Sequence, residues 1–465
     1  VQPAYGSYEI LTKLPEARAD YLMQGPFEII SRDGKYSYTK NPSERDFNSA
    51  YYNALLWQIT GNKAHADKSM EIIRAYAASL RQIPPTNDAP LCAGLQGFML
   101  VNAAEIMRYT YRKTQYSGGW SEQDTENVES MFRNVFQPVL SKFFQTAPYT
   151  NGNWGIAVAK AQLSFGIFLN DRKLYDDAID FFHHGKDNGS LPNYIAESGQ
   201  SQEAGRDQQH AMLGVACFAD MAEVAWTQGD DLYGALDNRI MKGYEYIAKS
   251  NLGYEVPFVT WKDITGKYSN LSVFGKDGMG RFRSIFAYNH YVVRKGLEMP
   301  YTKIVLGLVR PEGPGFTCDN TGFGSLLYYL GDDLNAGKEK GRLQEDLTQL
   351  KAWTFSTASY RTVNGVMSFV SSGIKLQKRV QYDPSAYPYI VVKAPGIPAS
   401  ANKKWLTLSY SINAAPEFWE LDSDKAMKVS EDIYVFKITD FQSNNGYSFS
   451  TAPTNITLTL DFGDT

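Results

Sequence analysis

The chain has 465 residues, of which 43% are hydrophobic and 21% charged, and its formal net charge is -4. This length allows two or three domains, and the composition is that of an ordinary globular protein rather than a disordered chain. The slightly negative charge excludes a general attraction to nucleic acid, and no apolar run reaches the roughly 18–20 residues that a membrane span needs.

The cysteines and the first residues bear on chemistry and location. Cys92, Cys217 and Cys318 are too few and too scattered for a disulfide framework or a zinc site. The chain begins at Val1 without Met, which is typical of a mature or trimmed N-terminus. We therefore expect that an export signal has been removed and that the protein is periplasmic or extracellular.

Residues from about 45 to 350 have the apolar spacing of helices. Three stretches (residues 45–80, 157–182 and 214–247) each hold an apolar helix, a tight turn with Gly, Asn or Asp, and a second amphipathic helix, which predicts antiparallel helical hairpins. Hairpins of this kind bury their inner faces by stacking on one another. A closed array would be an incomplete α/α toroid over residues 1–350, and an open helical solenoid is the competing arrangement.

From about residue 353 the pattern changes to alternation at period two, rich in Val, Ile, Thr and aromatic residues. This pattern predicts a small antiparallel β-sandwich over residues 351–465. The predicted sandwich contains no His and no Cys. We therefore expect any histidine chemistry to lie in the helical part.

The first candidate cluster is the polar stretch "ESGQSQEAGRDQQH", residues 197–210, which leads into an apolar helix. Arg206 and His210 would share one face if the helix has already begun. Neutral imidazole suits proton abstraction near neutral pH, so His210 is a candidate base. Gln202 and Gln209 are candidates for substrate contact. A histidine bonded to a neighbouring carbonyl is the competing interpretation.

The second candidate cluster is "TNGNWG", residues 150–155, a turn at the start of a helix. Its candidates are Asn151, Asn153 and Trp154. A Trp at such a position can stack on a sugar ring, whereas helix capping is the competing role for the asparagines.

The third candidate cluster combines cationic and aromatic side chains in residues 278–296 with a Gly-rich loop before it. Arg281 and Tyr288 are seven residues apart, which puts them on one helical face. The candidates of this region are Trp261, Tyr268, Arg281, Arg283, Tyr288, His290 and Tyr291.

The order of these clusters resembles the alginate lyase superfamily of polysaccharide lyases, which have an α/α toroid. Family five alginate lyases carry an Asn-Asn-His-Ser-Tyr-Trp turn, a Leu-Pro-Asn-Glu segment and an Arg-rich stretch that ends in Tyr-His. Here "NGNWG" (151–155), "LPNY" (191–194) and "GRDQQH" (205–210) stand at the three places. The resemblance covers roughly residues 50–330.

Two departures from the family pattern change the expected roles. The first turn has no His, and Gln209 stands where the family has the Tyr before its last His. Resemblance to chondroitin-type relatives that share the toroid implies that His210 is the base. Several related lyases place their tyrosine some fifty to sixty residues after the histidine, which implies Tyr268, while Tyr288 and Tyr291 remain open.

The resemblance implies β-elimination on a uronic acid polysaccharide, with alginate as the first expectation and glucuronan as the next. Asn153 and one of Arg206 or Arg281 would hold the carboxylate and stabilise the enolate-like intermediate. His210 would take the C5 proton, and a tyrosine would protonate the leaving O4. No metal or redox cofactor is implied.

Two other functions compete at this stage. A toroid can also hold a glycoside hydrolase, whose two carboxylates would come from Glu197, Glu203 and Asp207. The chain could also be a non-catalytic glycan-binding protein on a lyase scaffold, because the family histidine of the first turn is missing.

Overall fold

The computed structural model describes residues 3–146, 150–261, 268–272 and 286–329 of the helical part. In the C-terminal part it describes 354–355, 360–363, 366–369, 374–382, 389–393, 407–412, 418–422, 426–430, 433–437, 441–443 and 454–462. The chain divides into two compact units, one of Val1–Asn251 with Val256–Asp333 and one of Leu252–Glu255 with Leu334–Thr465. The predicted boundary after residue 350 lies outside the described residues and stays a prediction.

The first unit is helical. Its α-helices are α1 (Ala4–Lys13), α2 (Lys40–Thr60), α3 (Lys63–Ser79), α4 (Ala89–Leu91), α5 (Gly97–Thr110), α6 (Glu122–Met131), α7 (Gln137–Thr146), α8 (Gly152–Phe168), α9 (Arg172–His184), α10 (Leu191–Tyr194), α11 (Gln208–Thr227), α12 (Ala235–Asn251), α13 (Phe286–Tyr288), α14 (Pro300–Val309) and α15 (Gly324–Leu327). Short 3₁₀ helices span Pro15–Ala17 and Gly34–Thr39, and π-helical turns span Cys92–Gln96, Phe132–Phe136 and Asn289–Arg294.

The three predicted hairpins are α2–α3, α8–α9 and α11–α12. Their turns follow from the local sequence. Gly61 ends α2 with a φ of 68°, a left-handed conformation that glycine adopts without steric cost. The Asn62 side chain then accepts the Ala64 N–H at the start of α3, and the Asp171 side chain accepts the Leu174 N–H at the start of α9.

Helices α2, α5, α8 and α11 form the inner layer, each packed against the next. Near their N-terminal ends, Gln96 Nε2 donates to Glu44 Oε1 over 3.3 Å. At their C-terminal ends, Trp57 Nε1 donates to Thr110 Oγ1 over 3.2 Å. These two contacts show that α2 and α5 run in the same direction.

The same direction continues along the inner layer. Arg108 Nη1, near the end of α5, donates to the Phe168 carbonyl at the end of α8. The N–H of Gly152, at the start of α8, donates to Gln202 Oε1 just before α11. The four inner helices are therefore parallel, with α3, α9 and α12 as their antiparallel hairpin partners, and all four N-terminal ends face one end of the unit. This is the arrangement of an α/α toroid and confirms the predicted fold class.

The chain between α14 and α15 returns to the inner helices. Cys318 Sγ donates to Asn48 Oδ1 of α2 over 3.3 Å, and Lys160 Nζ of α8 donates to the Asp319 carbonyl over 2.9 Å. Cys318 and Asp319 are both buried. This segment therefore joins the first inner helix to the third within the core.

One helical stretch of the described residues, Ala89–Thr110, is long and apolar enough by composition to cross a membrane. In this fold 72% of its apolar window is buried, as in the core helix of a globular unit. Its apolar character is thus accounted for by packing in the inner layer.

The second unit is built from antiparallel strands. They are β1 (Thr354–Phe355), β2 (Tyr360–Val363), β3 (Val366–Phe369), β4 (Ile374–Tyr382), β5 (Tyr389–Lys393), β6 (Thr407–Ile412), β7 (Phe418–Asp422), β8 (Met427–Ser430), β9 (Ile433–Lys437), β10 (Gln442–Ser443) and β11 (Thr454–Phe462). Three sheets have the orders β1-β4-β11-β6-β7-β10, β2-β3 and β5-β9-β8. Every pairing between the described strands is antiparallel, as predicted, and face-to-face packing as a sandwich stays a prediction.

A buried ion pair lies between α8 and α11. Lys160 Nζ is 2.8 Å from Asp220 Oδ2, and both side chains are essentially inaccessible to water. We expect Lys160→Met to lower the free energy of unfolding by about 3–5 kcal/mol, because it leaves a buried carboxylate without its cation. The double variant Lys160→Met/Asp220→Leu should recover part of this loss in denaturant unfolding. A double variant less stable than the single one would contradict this account.

Candidate active site

The N-terminal end of α8 is capped by the polar loop that precedes α11. The Gly152 N–H donates to Gln202 Oε1 over 2.9 Å, and the Asn153 N–H donates to Glu203 Oε2 over 3.0 Å. These are two of the N–H groups that a helix leaves unsatisfied in its first turn. The Asn151 side chain makes no capping bond, so the capping role considered for it is wrong.

Glu203 lies at the centre of the cluster and is fully buried. Its Oε2 accepts the Asn153 N–H and the Tyr194 hydroxyl, the latter over 3.0 Å. Its Oε1 accepts Arg206 Nη1 over 2.9 Å. Burial raises the pKa of the Glu203 carboxyl, and the charge of Arg206 opposes that rise.

His210 lies in the first turn of α11 and is held by Asp207. Asp207 Oδ1 accepts the His210 backbone N–H over 2.8 Å, and Asp207 Oδ2 lies 2.6 Å from His210 Nδ1. About one third of the His210 side chain is exposed. Within the described part of the chain, His210 Nε2 forms no hydrogen bond, so this nitrogen is available to a substrate.

Tyr268 reaches the same cluster from the segment 268–272. Its hydroxyl donates to Asn151 Oδ1 over 2.8 Å. The segment is pinned to the polar loop because the Ser272 N–H donates to the Ala204 carbonyl over 3.0 Å. A Cβ at Gly205 would lie 2.5 Å from Tyr268 Cβ, so only glycine permits this close approach.

The pKa of the Tyr268 hydroxyl is raised to about 12. Burial is the main cause, the negative charge of Glu203 adds to it, and the charge of Arg206 acts against it. Tyr268 is therefore protonated at neutral pH and can supply a proton.

The other candidates in this region, two tryptophans and two glutamines, lie around the cluster of Glu203, His210 and Tyr268. The Trp261 N–H donates to the Tyr268 carbonyl over 3.1 Å, which keeps Trp261 beside the tyrosine. Trp154 packs against the hydrophobic core with part of its surface exposed. Gln202 is buried and caps α8, and Gln209 is partly exposed beside His210.

Tyr288, His290 and Tyr291 lie elsewhere, which corrects their assignment to the site. All three are buried. The His290 ring contacts Trp226 at the C-terminal end of α11, with ring centroids 4.7 Å apart. His210 lies in the first turn of that helix, so 16 residues of helical rise separate it from Trp226 by about 24 Å along the axis, and His290 lies beside Trp226. Tyr291 donates its hydroxyl to the Tyr233 carbonyl, so its polar group is used in packing.

The remaining candidates, Arg281 and Arg283, lie outside the described residues. Of the two arginines considered for the carboxylate, only Arg206 is therefore placed. Within the described chain, no group of three or more His, Cys, Asp or Glu side chains is arranged to hold a metal ion.

Two contacts of this cluster were missed at the sequence level. Asp207 was considered only as a hydrolase carboxylate, although an Asp just before an apolar helix is the usual mark of an N-cap. Tyr194 lies in the "LPNY" segment, and nothing in its local sequence indicates that its hydroxyl reaches Glu203.

The model of the family described as alginate lyase matches residues 16–255, more than half of the chain. The chain belongs to the alginate lyase family. The match contains Asn153, Arg206 and His210, whereas Tyr268 lies beyond its end. Membership of this family makes the protein a polysaccharide lyase.

Solved structures of alginate lyases resemble the chain at low sequence identity. An alginate lyase from Bacteroides ovatus is 14% identical with a TM-score of 0.45, covering 64% of this chain and 77% of that one. Two single-residue variants of alginate lyase A1-III in complex with a tetrasaccharide have 15% and 16% identity and TM-scores of 0.48 and 0.45. They cover 70% and 67% of this chain and 90% and 81% of theirs. A comparison with curated protein sequences found no significant match.

In this member of the alginate lyase family, a second buried carboxylate besides Glu203 packs against the first turn of α8. Asp187 is fully buried, and its Oδ1 accepts the Gly189 N–H over 2.9 Å. A Cβ at Gly155 would lie 2.6 Å from Asp187 Oδ1, so the turn that carries Asp187 packs directly against the backbone of α8. Burial raises the pKa of Asp187 to about 6, against the opposing effect of backbone N–H groups.

Asp187 generates a pH-dependent prediction. Because its pKa is higher in the folded than in the unfolded chain, the folded state binds more protons between about pH 4 and pH 6. Its contribution to the free energy of unfolding therefore falls as the pH rises through this range and stays low above it. We expect Asp187→Asn to be more stable than the parent at pH 7, on the order of 1–3 kcal/mol, and equal to it near pH 4. Denaturant unfolding at both pH values measures this, and a variant less stable at pH 7 would contradict it.

Proposed function

We propose that this polysaccharide lyase cleaves a uronic-acid polysaccharide, alginate first and glucuronan next, by β-elimination. The observation that carries the proposal is that His210 and Tyr268 both contact the polar loop that holds Arg206. Among the described residues His210 Nε2 has no hydrogen-bond partner, and Tyr268 is protonated. An elimination needs one group that takes a proton and another that gives one. Export to the periplasm or the cell exterior, where such polymers are met, remains an expectation.

The first requirement of the reaction is to hold the uronate carboxylate. The C5 proton is barely acidic while the carboxylate is charged, so donors must stabilise the dianionic intermediate that forms when it leaves. We assign this to the side-chain amide of Asn153 and to the guanidinium of Arg206. The N-terminal ends of α8 and α11 add the positive end of two helix dipoles.

The proton transfers then follow from the two side chains. His210 Nε2 accepts the C5 proton, the C–H electrons form the C4–C5 double bond, and the C4–O4 bond breaks. The Tyr268 hydroxyl gives its proton to O4. Return of a proton from His210 to Tyr268 through solvent restores the starting state.

The contacts of the carboxylates count against a hydrolase. A hydrolase needs a free acid and a free base or nucleophile flanking the bond. Glu203 is fully buried with three donors around it, and both oxygens of Asp207 are taken by His210. Glu197 is exposed, but neither Glu203 nor Asp207 is free to act as the second carboxylate that a hydrolase needs.

The roles of His210 and Tyr268 generate one prediction. We expect His210→Gln and Tyr268→Phe each to lower kcat by about 10²–10⁴, because each removes one of two positioned proton-transfer groups. The assay is the absorbance of the C4–C5 double bond on alginate, glucuronan, hyaluronan, chondroitin and pectate.

Tyr291→Phe is the matched control, because it removes the same hydroxyl from a tyrosine that packs far from His210. Its lyase rate should stay close to that of the parent. Equal loss in Tyr268→Phe and Tyr291→Phe would argue against Tyr268 as the acid. Absence of the absorbance on every polymer would refute the proposed reaction.

The carboxylate-holding role of Asn153 generates a second prediction. Asn153→Ala should lower kcat about 10²–10³-fold, the usual effect of removing one donor from a developing oxyanion. The backbone N–H that binds Glu203 is kept in this variant, so its melting temperature should change little. A parental rate in folded Asn153→Ala would remove this side chain from the site.

A further inference from the structure

Asp207 contacts two different groups of one residue. Oδ1 accepts the backbone N–H of His210 over 2.8 Å, and Oδ2 lies 2.6 Å from Nδ1 of the same histidine. The Asp207 side chain is only 13% exposed, so water competes weakly for either oxygen. A single carboxylate thus contacts both the backbone and the ring of the proposed base.

The second contact determines where the imidazole proton lies. An ionised carboxylate can only accept hydrogen bonds, so a neutral imidazole at 2.6 Å must carry its proton on Nδ1. The lone pair is then on Nε2, the nitrogen without a partner in the described structure. The tautomer that can take a proton at Nε2 follows from this one contact.

Helix capping alone does not account for the aspartate. Ser, Asn and Asp cap helices about equally well, because each offers one oxygen to the first-turn N–H groups. The ring contact uses the second carboxylate oxygen, which neither Ser nor Asn has. Among the described residues, the other cation near this oxygen is Arg206, whose Nε is 4.0 Å away and whose Nη1 is bonded to Glu203.

We propose that Asp207 is a positioning residue for the elimination: it fixes His210 as the Nδ1-protonated tautomer with Nε2 turned to the substrate, and it stabilises the imidazolium formed when the C5 proton is taken. This inference rests on the proposed role of His210 as base. A carboxylate that orients a catalytic imidazole in this way acts through the histidine and does not touch the substrate.

Two variants separate capping from positioning. Asp207→Ser keeps an oxygen for the His210 N–H but is too short to hold the ring as well. Asp207→Asn keeps the size and the cap, but it places an NH₂ group opposite Nδ1, which favours the proton on Nε2. Both variants should melt within a few degrees of the parent.

The activity readout is the kcat and KM of the lyase assay. We expect kcat to fall about 10²–10⁴-fold in both variants, with KM within about threefold, because binding groups are untouched while the base is mispositioned. A kcat within threefold of the parent in either folded variant, under conditions where His210→Gln is inactive, would refute the proposal.

The second readout does not depend on activity. With ¹⁵N-histidine, the five imidazoles can be observed by NMR, and the His210→Gln variant identifies the signals of His210. The parent should show the Nδ1-protonated form and Asp207→Asn the Nε2-protonated form. An unchanged tautomer in Asp207→Asn would refute the positioning role. If no polymer is cleaved by the parent, the proposed function fails, while this measurement still decides the tautomer.

Discussion

The buried carboxylate of Glu203 is the contact on which the arrangement of the site depends. It joins the start of α8, through Asn153, to the polar loop 50 residues further along the chain, and it also binds Tyr194 of α10 and Arg206 of its own loop. A carboxylate that is taken out of water is costly unless it is paired and hydrogen-bonded, and these three donors provide that compensation. Removing any one of them would leave charge or polarity uncompensated in the interior, so the geometry of the site and the stability of this region are linked.

The helical scaffold explains why the site forms where it does. Because the inner helices are parallel, their N-terminal ends collect on one side of the unit, and first-turn N–H groups and helix dipoles accumulate there. These N–H groups are bound by acidic and amide side chains of the polar loop, namely Gln202, Glu203 and Asp207. The same environment suits an anionic sugar, which needs donors at its carboxylate and a base close by. The composition of the loop and the charge of the proposed substrate therefore both match this one helix arrangement.

The proton states of the site follow from which charges lie near each group. Tyr268 is half-buried near Glu203, so the pKa of its hydroxyl is raised and it keeps its proton, even though the charge of Arg206 acts in the opposite direction. His210 contacts Asp207 through Nδ1, and its Nε2 has no hydrogen-bond partner among the described residues. In the elimination that we propose, the proton-accepting and proton-donating roles therefore belong to two different side chains, and no group has to serve as both.

The sequence by itself determined the helical hairpins, the antiparallel strands and the cluster around His210, because periodicity, turn residues and a polar run beside an apolar helix are local features. It also favoured Tyr268 through its resemblance to known lyases, while Tyr288 and Tyr291 stayed open. Only the tertiary structure separated these tyrosines, since α13 and the turn after it pack at the opposite end of α11. It alone joined Glu203 to Asn153, 50 residues away, because such a contact depends on how distant segments pack, and no local pattern encodes the distance between them.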